Sequence, residues 1–210
     1  MKIVVFGATG GTGKQIVEQA LAAGYEVVAY ARNPSKLNIT HEHLTVVQGE
    51  LSDQALIENA IKGTDAVLST LGPRGGSKNK PISQGMQNII AAMKKQGVRR
   101  LIITSTLSAK DPNDNPTLRT RAMVNLVKTT MHGAYEDIVS AAETVRNSDL
   151  DWTILRLTML NNDPKSGKVK AGHVGDGKVG TWISRADVAD FMLKQIDHAE
   201  YMRQAPAISN

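Results

Sequence analysis

Short apolar runs alternate along this chain with longer stretches in which apolar positions recur every three or four residues. The first run, Ile3-Val4-Val5-Phe6, stops at Gly7, and an amphipathic stretch over Gln15–Ala23 breaks at Gly24. Strand-like runs follow at Glu26–Ala31, Leu44–Gln48, Asp65–Thr70, Arg100–Ser105 and Asp151–Leu157. Helical periodicity fills the intervals. It runs from Ser52 or Asp53, either of which can cap a helix, to about Lys62, and then over Asn79–Gln96, Thr117–Met131 and Tyr135–Asn147. Ile183–Ala189 opens a last helix with Ser184 as its cap. This alternation predicts an α/β fold: a doubly wound, Rossmann-like parallel sheet with helices on both faces, forming a single domain with a small substrate-side lobe. The stretch Ser108–Gly133 follows the fifth strand directly, so it can fold over a ligand as a lid or form a surface excursion. Lys165–Gly180 is rich in Gly and Lys and predicts a loop or hairpin.

The junction between the first strand and first helix carries chemistry: Gly7-Ala8-Thr9-Gly10-Gly11-Thr12-Gly13. A strand, a tight glycine turn and a helix start aim backbone N–H groups at a diphosphate. Gly7 allows the turn, Gly10 leaves room for phosphates, and Gly13 lets the helix lie close on the sheet. At the end of the second strand, an NAD site usually has an acid for the ribose 2′-hydroxyl. This chain has Arg32 there, with Lys36 four residues on. A guanidinium pairs with a 2′-phosphate that a carboxylate would repel, so NADP(H) is the expected cofactor. Ligands of such sheets lie beyond the carboxyl ends of the strands. That rule gathers the glycine loop, Arg32, Glu50-Leu51, Leu71 to Arg74, Thr104 to Leu107 and Leu157 to Leu160.

Composition narrows the picture. The chain has 210 residues, enough for one sizeable core, a formal charge of +5 and no cysteine. Disulfides, thiolate metal sites and thiol nucleophiles are thereby excluded, and a cytoplasmic protein is expected. The basic pairs Lys94-Lys95 and Arg99-Arg100 flank Gly97 at a helix end, where the helix dipole favours cations, and no interleaved aromatics support a nucleic-acid surface. His41 and His43 sit in a loop without further ligands, and no metal is expected. No run is long enough for a signal sequence or membrane span.

Together the glycine loop, Arg32, Leu71-Gly72-Pro73-Arg74, Thr104-Ser105 and Ile183-Ser184-Arg185-Ala186-Asp187-Val188-Ala189 resemble the atypical short-chain dehydrogenases of the NmrA-like group. Within it, the likeness is to the biliverdin-IXβ (flavin) reductase branch and extends over essentially the whole chain. The resemblance implies a monomeric NADPH-dependent reductase that delivers hydride to flavins and linear tetrapyrroles. It implies that Thr9, Gly10, Thr12 and Gly13 hold the diphosphate, that Arg32 and Lys36 hold the 2′-phosphate, and that Glu50 and Leu51 border the adenine. Leu71, Gly72 and Arg74 would line the nicotinamide path, with Thr104 and a catalytic Ser105 beside the ring. Three departures stand out: Glu50 replaces a usual Asp, Met159 replaces a cofactor-contacting histidine, and Leu107 stands where an aromatic covers substrate.

Ordinary short-chain dehydrogenases reduce carbonyls with a Tyr-x-x-x-Lys pair, because an alkoxide needs a tuned proton donor. Four residues after Tyr25, Tyr30, Tyr135 and Tyr201 stand Ala29, Pro34, Val139 and Ala205, so no such pair exists. Hydride transfer to a flavin or conjugated tetrapyrrole delocalises its charge and can take a proton from water, so orientation in the pocket can suffice. The missing pair fits a flavin reductase and equally fits an NADP(H)-binding redox sensor that catalyses nothing. A carbonyl reductase or epimerase with an unusual acid is a third reading. Arg119 and Arg121 lie where they could draw in a substrate phosphate or carboxylate, or simply form a solvated helix face. Trp152 and Trp182 are read as packing residues.

Overall fold

The structure is a computed structural model that describes residues 1–72, 80–198 and 200–210; of Arg119 it describes the place in its helix and not the side chain. The first half runs β1 (Lys2–Phe6), α1 (Gly11–Ala22), β2 (Glu26–Ala31), β3 (Leu44–Gln48), α2 (Gln54–Ile61), β4 (Ala66–Ser69) and α3 (Pro81–Gln96). The second continues with β5 (Arg100–Thr106), α4 (Leu118–Thr130), α5 (His132–Arg146), β6 (Asp151–Leu157) and β7 (Met159–Asn161). It closes with β8 (Lys170–Gly172), β9 (Trp182–Ser184), α6 (Arg185–Lys194) and β10 (Ala207–Ser209).

The main sheet has eight strands in the order β3-β2-β1-β4-β5-β6-β10-β8. Its neighbours are parallel except β8, which runs antiparallel to β10 at one edge. This is the predicted doubly wound sheet. Central β1 is buried on both faces, which explains its unbroken apolar run. Val4 and Phe6 face a core shared with α2, α3 and α5, while Ile3 and Val5 face one shared with α1 and α6. Each such side chain contributes about 1.5–3 kcal/mol when buried.

Several predicted ends hold. Asp53 caps α2 by accepting from Leu56 N at 3.0 Å, and Ser184 caps α6 by accepting from Asp187 N at 3.0 Å. Others shift. Helix α1 begins at Gly11 rather than Gln15, because the last turn of the glycine loop is already helical. Helix α5 begins at His132, so Gly133 lies in its first turn and the break falls at Met131. The Lys165–Gly180 stretch forms no hairpin of its own; its strand β8 pairs with β10 instead. The basic cluster near Gly97 pairs within the chain: Arg100 is buried and donates to the carbonyls of Asp151 and Gln195, and at the surface Lys94 pairs with Asp149 at 2.6 Å. Among the described residues no helix is long and apolar enough to cross a membrane.

Candidate functional site

Strand order reverses at β1, so the crevice beyond its carboxyl end, against that of β4, is where such a sheet binds ligands. Gly7 lies there with φ +83°, and a Cβ on it would sit 2.8 Å from Thr70 Oγ1. Gly10 N donates to Gly7 O at 2.9 Å to close the turn. A Cβ on Gly13 would come within 2.2 Å of Gly7 O, so only glycine lets α1 approach this closely. The first backbone bond into α1 is Lys14 N to Gly10 O, at 2.9 Å. The N–H groups of Gly11, Thr12 and Gly13 have no acceptor among the described hydrogen bonds. Gly10 supplies no side-chain cap, and the first turn carries no acid. The residues present thus form a cradle whose donors face outward, at the positive end of a helix dipole.

The adenosine side follows from β2. Arg32 leaves its tip and Lys36 ends a single 3₁₀ turn, Pro34–Lys36; both are exposed. Among the described residues neither pairs with a carboxylate. Beneath them, Tyr30 Oη donates to Glu50 O at 2.8 Å. Burial, aided by nearby Asp53 and Glu50, pushes the Tyr30 phenol up to about 12, so it stays a neutral prop. Glu50 is exposed, and Leu51 packs over Gly85 of α3.

On the other side of the crevice, Ser69, Leu71, Thr104 and Ser105 line a small cavity roofed by Met86 of α3 and Ile138 of α5. Ser105 Oγ is buried and has no hydrogen-bond partner among the described residues. An unmade bond at a buried hydroxyl costs roughly 1–3 kcal/mol, so this group fits a ligand that completes it. Strand alternation puts Ser105 on the α3–α5 face with Ile103 and turns the Thr104 side chain to the opposite face, so the two neighbours cannot serve the same point. Gly72 is exposed, Arg74 lies outside the described residues, and Leu107 is half-buried in the turn after β5. Met159 is half-exposed in β7, in register with half-exposed Trp182 of β9; Trp152, by contrast, is in the core. Arg121 is exposed with its Nε on Pro116 O at 3.1 Å, and the Arg119 side chain lies outside the description. Tyr135 has Lys128 Nζ 5.9 Å from its ring centroid, over the ring face.

The stretch Ser108–Gly133 divides in two. Its first part is fastened: fully buried Arg156 of β6 pairs with Asp114, which also accepts from Val174 N at 3.0 Å. Burial alone would raise the Asp114 carboxyl, but the Arg156 guanidinium and backbone donors hold it below the usual range. Helix α4, the second part, has no buried residue among its described side chains and leaves Leu118, Met123 and Leu126 exposed.

Four side chains that shape the crevice escaped the sequence reading in this role. Asp137 of α5 is buried and accepts from Ile82 N and Ser83 N at 3.1 and 2.8 Å, capping α3 from a neighbouring helix. Arg156 is the second. Asp187 accepts from Ser166, Gly167, Ser184 and Asn210. Burial raises its carboxyl, but these donors outweigh that and bring it from 3.8 to about 2. The fourth is Arg185, which lies across Gly11. Beside these last two, a cleft of about 700 Å³ is lined by Asn161, Ser166, Lys168, Trp182 and Asn210 among others. Apart from Ser184, three residues before Asp187, the partners of Asp137, Arg156 and Asp187 are 20 to 55 residues distant, beyond any local motif; only the Ile183–Ala189 pattern pointed toward Arg185 and Asp187.

Comparison with known proteins agrees with this geometry. Residues 7–199 match the family described as NAD(P)H-binding, and the chain belongs to it. A curated relative is the (4-alkanoyl-5-oxo-2,5-dihydrofuran-3-yl)methyl phosphate reductase of Streptomyces griseus, 28% identical over 76% of this chain and 49% of its own length. The chain thus spans about half of that relative. A short-chain dehydrogenase/reductase of Veillonella parvula, solved in complex with NADP, superposes with a TM-score of 0.80 at 21% identity, over 100% of this chain and 94% of that one. The anaerobillin reductase ChuY of Escherichia coli O157:H7 superposes with a TM-score of 0.76 at 20% identity, over 100% and 97% of the two chains.

Proposed function

We propose that this member of the NAD(P)H-binding family is an NADPH-dependent reductase whose acceptors are flavins (FMN, riboflavin, FAD) and biliverdin-like linear tetrapyrroles. The observation that carries the reading is the chemistry at the end of β5: Ser105 offers a buried hydroxyl without a partner among the described residues, and the sequence has no Tyr-x-x-x-Lys pair. Such a site orients a planar acceptor and suits hydride transfer in which the acceptor spreads the charge and water gives the proton. Bound NADPH would supply the hydride. The cradle from Gly7 to Gly13 would hold its diphosphate, Arg32 and Lys36 its 2′-phosphate, and Glu50 and Leu51 would border its adenine. Leu71, Thr104 and Met159 would flank the nicotinamide, and the exposed apolar side chains of α4, with Leu107 and Arg121, would cover the acceptor. The ChuY neighbour supports the view that a reductase can be built on this fold.

Purified protein with NADPH and FMN or riboflavin should oxidise the nucleotide faster than the mixture alone. Equal rates would reject the reading. A second reading, an NADP(H)-binding redox sensor without turnover, is supported by the same missing Tyr–Lys pair. It predicts tight NADPH binding, no oxidation across flavins, tetrapyrroles and quinones, and a partner retained in one redox state only.

A further inference from the structure

Arg185, first residue of α6, runs its side chain over Gly11, first residue of α1. A Cβ on Gly11 would lie 2.8 Å from Arg185 Cδ and 2.9 Å from its Nε. The guanidinium Nη1 donates to Asn161 O at 3.1 Å and Asn162 Oδ1 at 2.8 Å, both neutral acceptors. Among the described residues no carboxylate lies within ion-pairing distance of it, and residues 73–79 and 199 include no acid. Asp187, two residues on, directs its oxygens at Ser166, Gly167, Ser184 and Asn210. Helices α1 and α6 both start at this point, and each N-terminus carries a partial positive charge of about half a unit. Half-buried Arg185 therefore lies at the open start of α1, while the one acid in the first turn of α6, Asp187, is engaged elsewhere and does not pair with it. Burying a cation this way is unfavourable unless an anion joins it.

From this we infer that Arg185 is a direct ligand of the dinucleotide's diphosphate, closing on it from the α6 side while the N–H groups of the glycine loop hold it from below. The inference rests on the cofactor reading above and extends it. Gly11 is glycine so that the arm can cross the loop, and Asn161 and Asn162 aim the guanidinium along it. The two arginines divide the work. Arg32 acts on the 2′-phosphate and separates NADPH from NADH; Arg185 acts on the diphosphate that both share.

Calorimetric titration of wild type, Arg185→Met and Arg185→Lys with NADPH, NADH and adenosine 2′-monophosphate tests this. Methionine keeps the stem over Gly11 and removes the charge. Arg185→Met should weaken NADPH and NADH by the same factor, about 10- to 100-fold, the size of a lost charge-assisted hydrogen bond. Adenosine 2′-monophosphate, which has no diphosphate, should bind as to wild type, and Arg185→Lys should recover part of the loss. The melting temperature without ligand should not fall. Wild-type affinity of Arg185→Met for both dinucleotides would overturn the inference and leave the cofactor reading intact. A lower melting temperature with equal loss of all three ligands would overturn it in favour of a structural role. Failure of the wild type to bind either dinucleotide would sink the cofactor reading and this inference with it.

Discussion

The N-termini of α1 and α6 lie side by side and have been treated in opposite ways. At α6, Ser184 caps the first turn and the Asp187 carboxylate is saturated by four partners, so the protein supplies its own anion. Helix α3 is handled similarly, with Asp137 brought in from α5. At α1 no side chain caps, no acid enters the first turn, and three N–H groups face outward. Both ends carry the same dipole. A helix end left open beside others that are closed marks where charge from a ligand is expected.

The comparison can be broken at several points. Gly13→Ala drives a methyl into Gly7 O, and should cost about 3 kcal/mol of stability and more than about 100-fold in NADPH affinity, read by denaturant unfolding and calorimetry. Asp187→Ala should cost about 2–4 kcal/mol by stranding its donors. Its carboxyl is lowered from 3.8 to about 2, so the stability it adds is complete above the higher value and lost as pH falls toward the lower one. Denaturant unfolding across that acid range should show the loss in wild type and not in Asp187→Asn. Gly10→Asp would sharpen the contrast by closing α1 as α6 is closed. The free protein should gain up to about 1 kcal/mol while NADPH affinity falls about 10-fold. Arg32→Ala should weaken NADPH about 10-fold and leave NADH unchanged, seen by titration with each.

What sequence could convey follows from range. The run Ile3–Phe6, the glycine spacing, Arg32, the Asp53 and Ser184 caps and the stop at Gly97 are local signals, and strand, turn and helix ends could be read from them. Strands β8 and β10 have three residues each, too few for a period to register, and their pairing is long-range. The crevice suffers in the same way. The glycine cradle is contiguous, but Asp137 on α3, Arg156 on Asp114 and Arg185 on Gly11 are encounters between distant segments. Ser105 could be named from its place at a strand end; that its hydroxyl is buried without a partner could not.

Strand β10 follows β1 to β9 in sequence and yet lies inside the sheet, with β6 on one side and β8 on the other. On the ribosome, β1 to β6 can assemble as they emerge, but β8 has no neighbour to join until Ala207–Ser209 are out. Asn210 then binds Ser184 N at 2.7 Å and Asp187 at 2.6 Å, which fixes the start of α6. The start of α6, from which Arg185 crosses Gly11, is thus held in part by a residue that follows it by 25 positions, so one wall of the crevice depends on chain made after it.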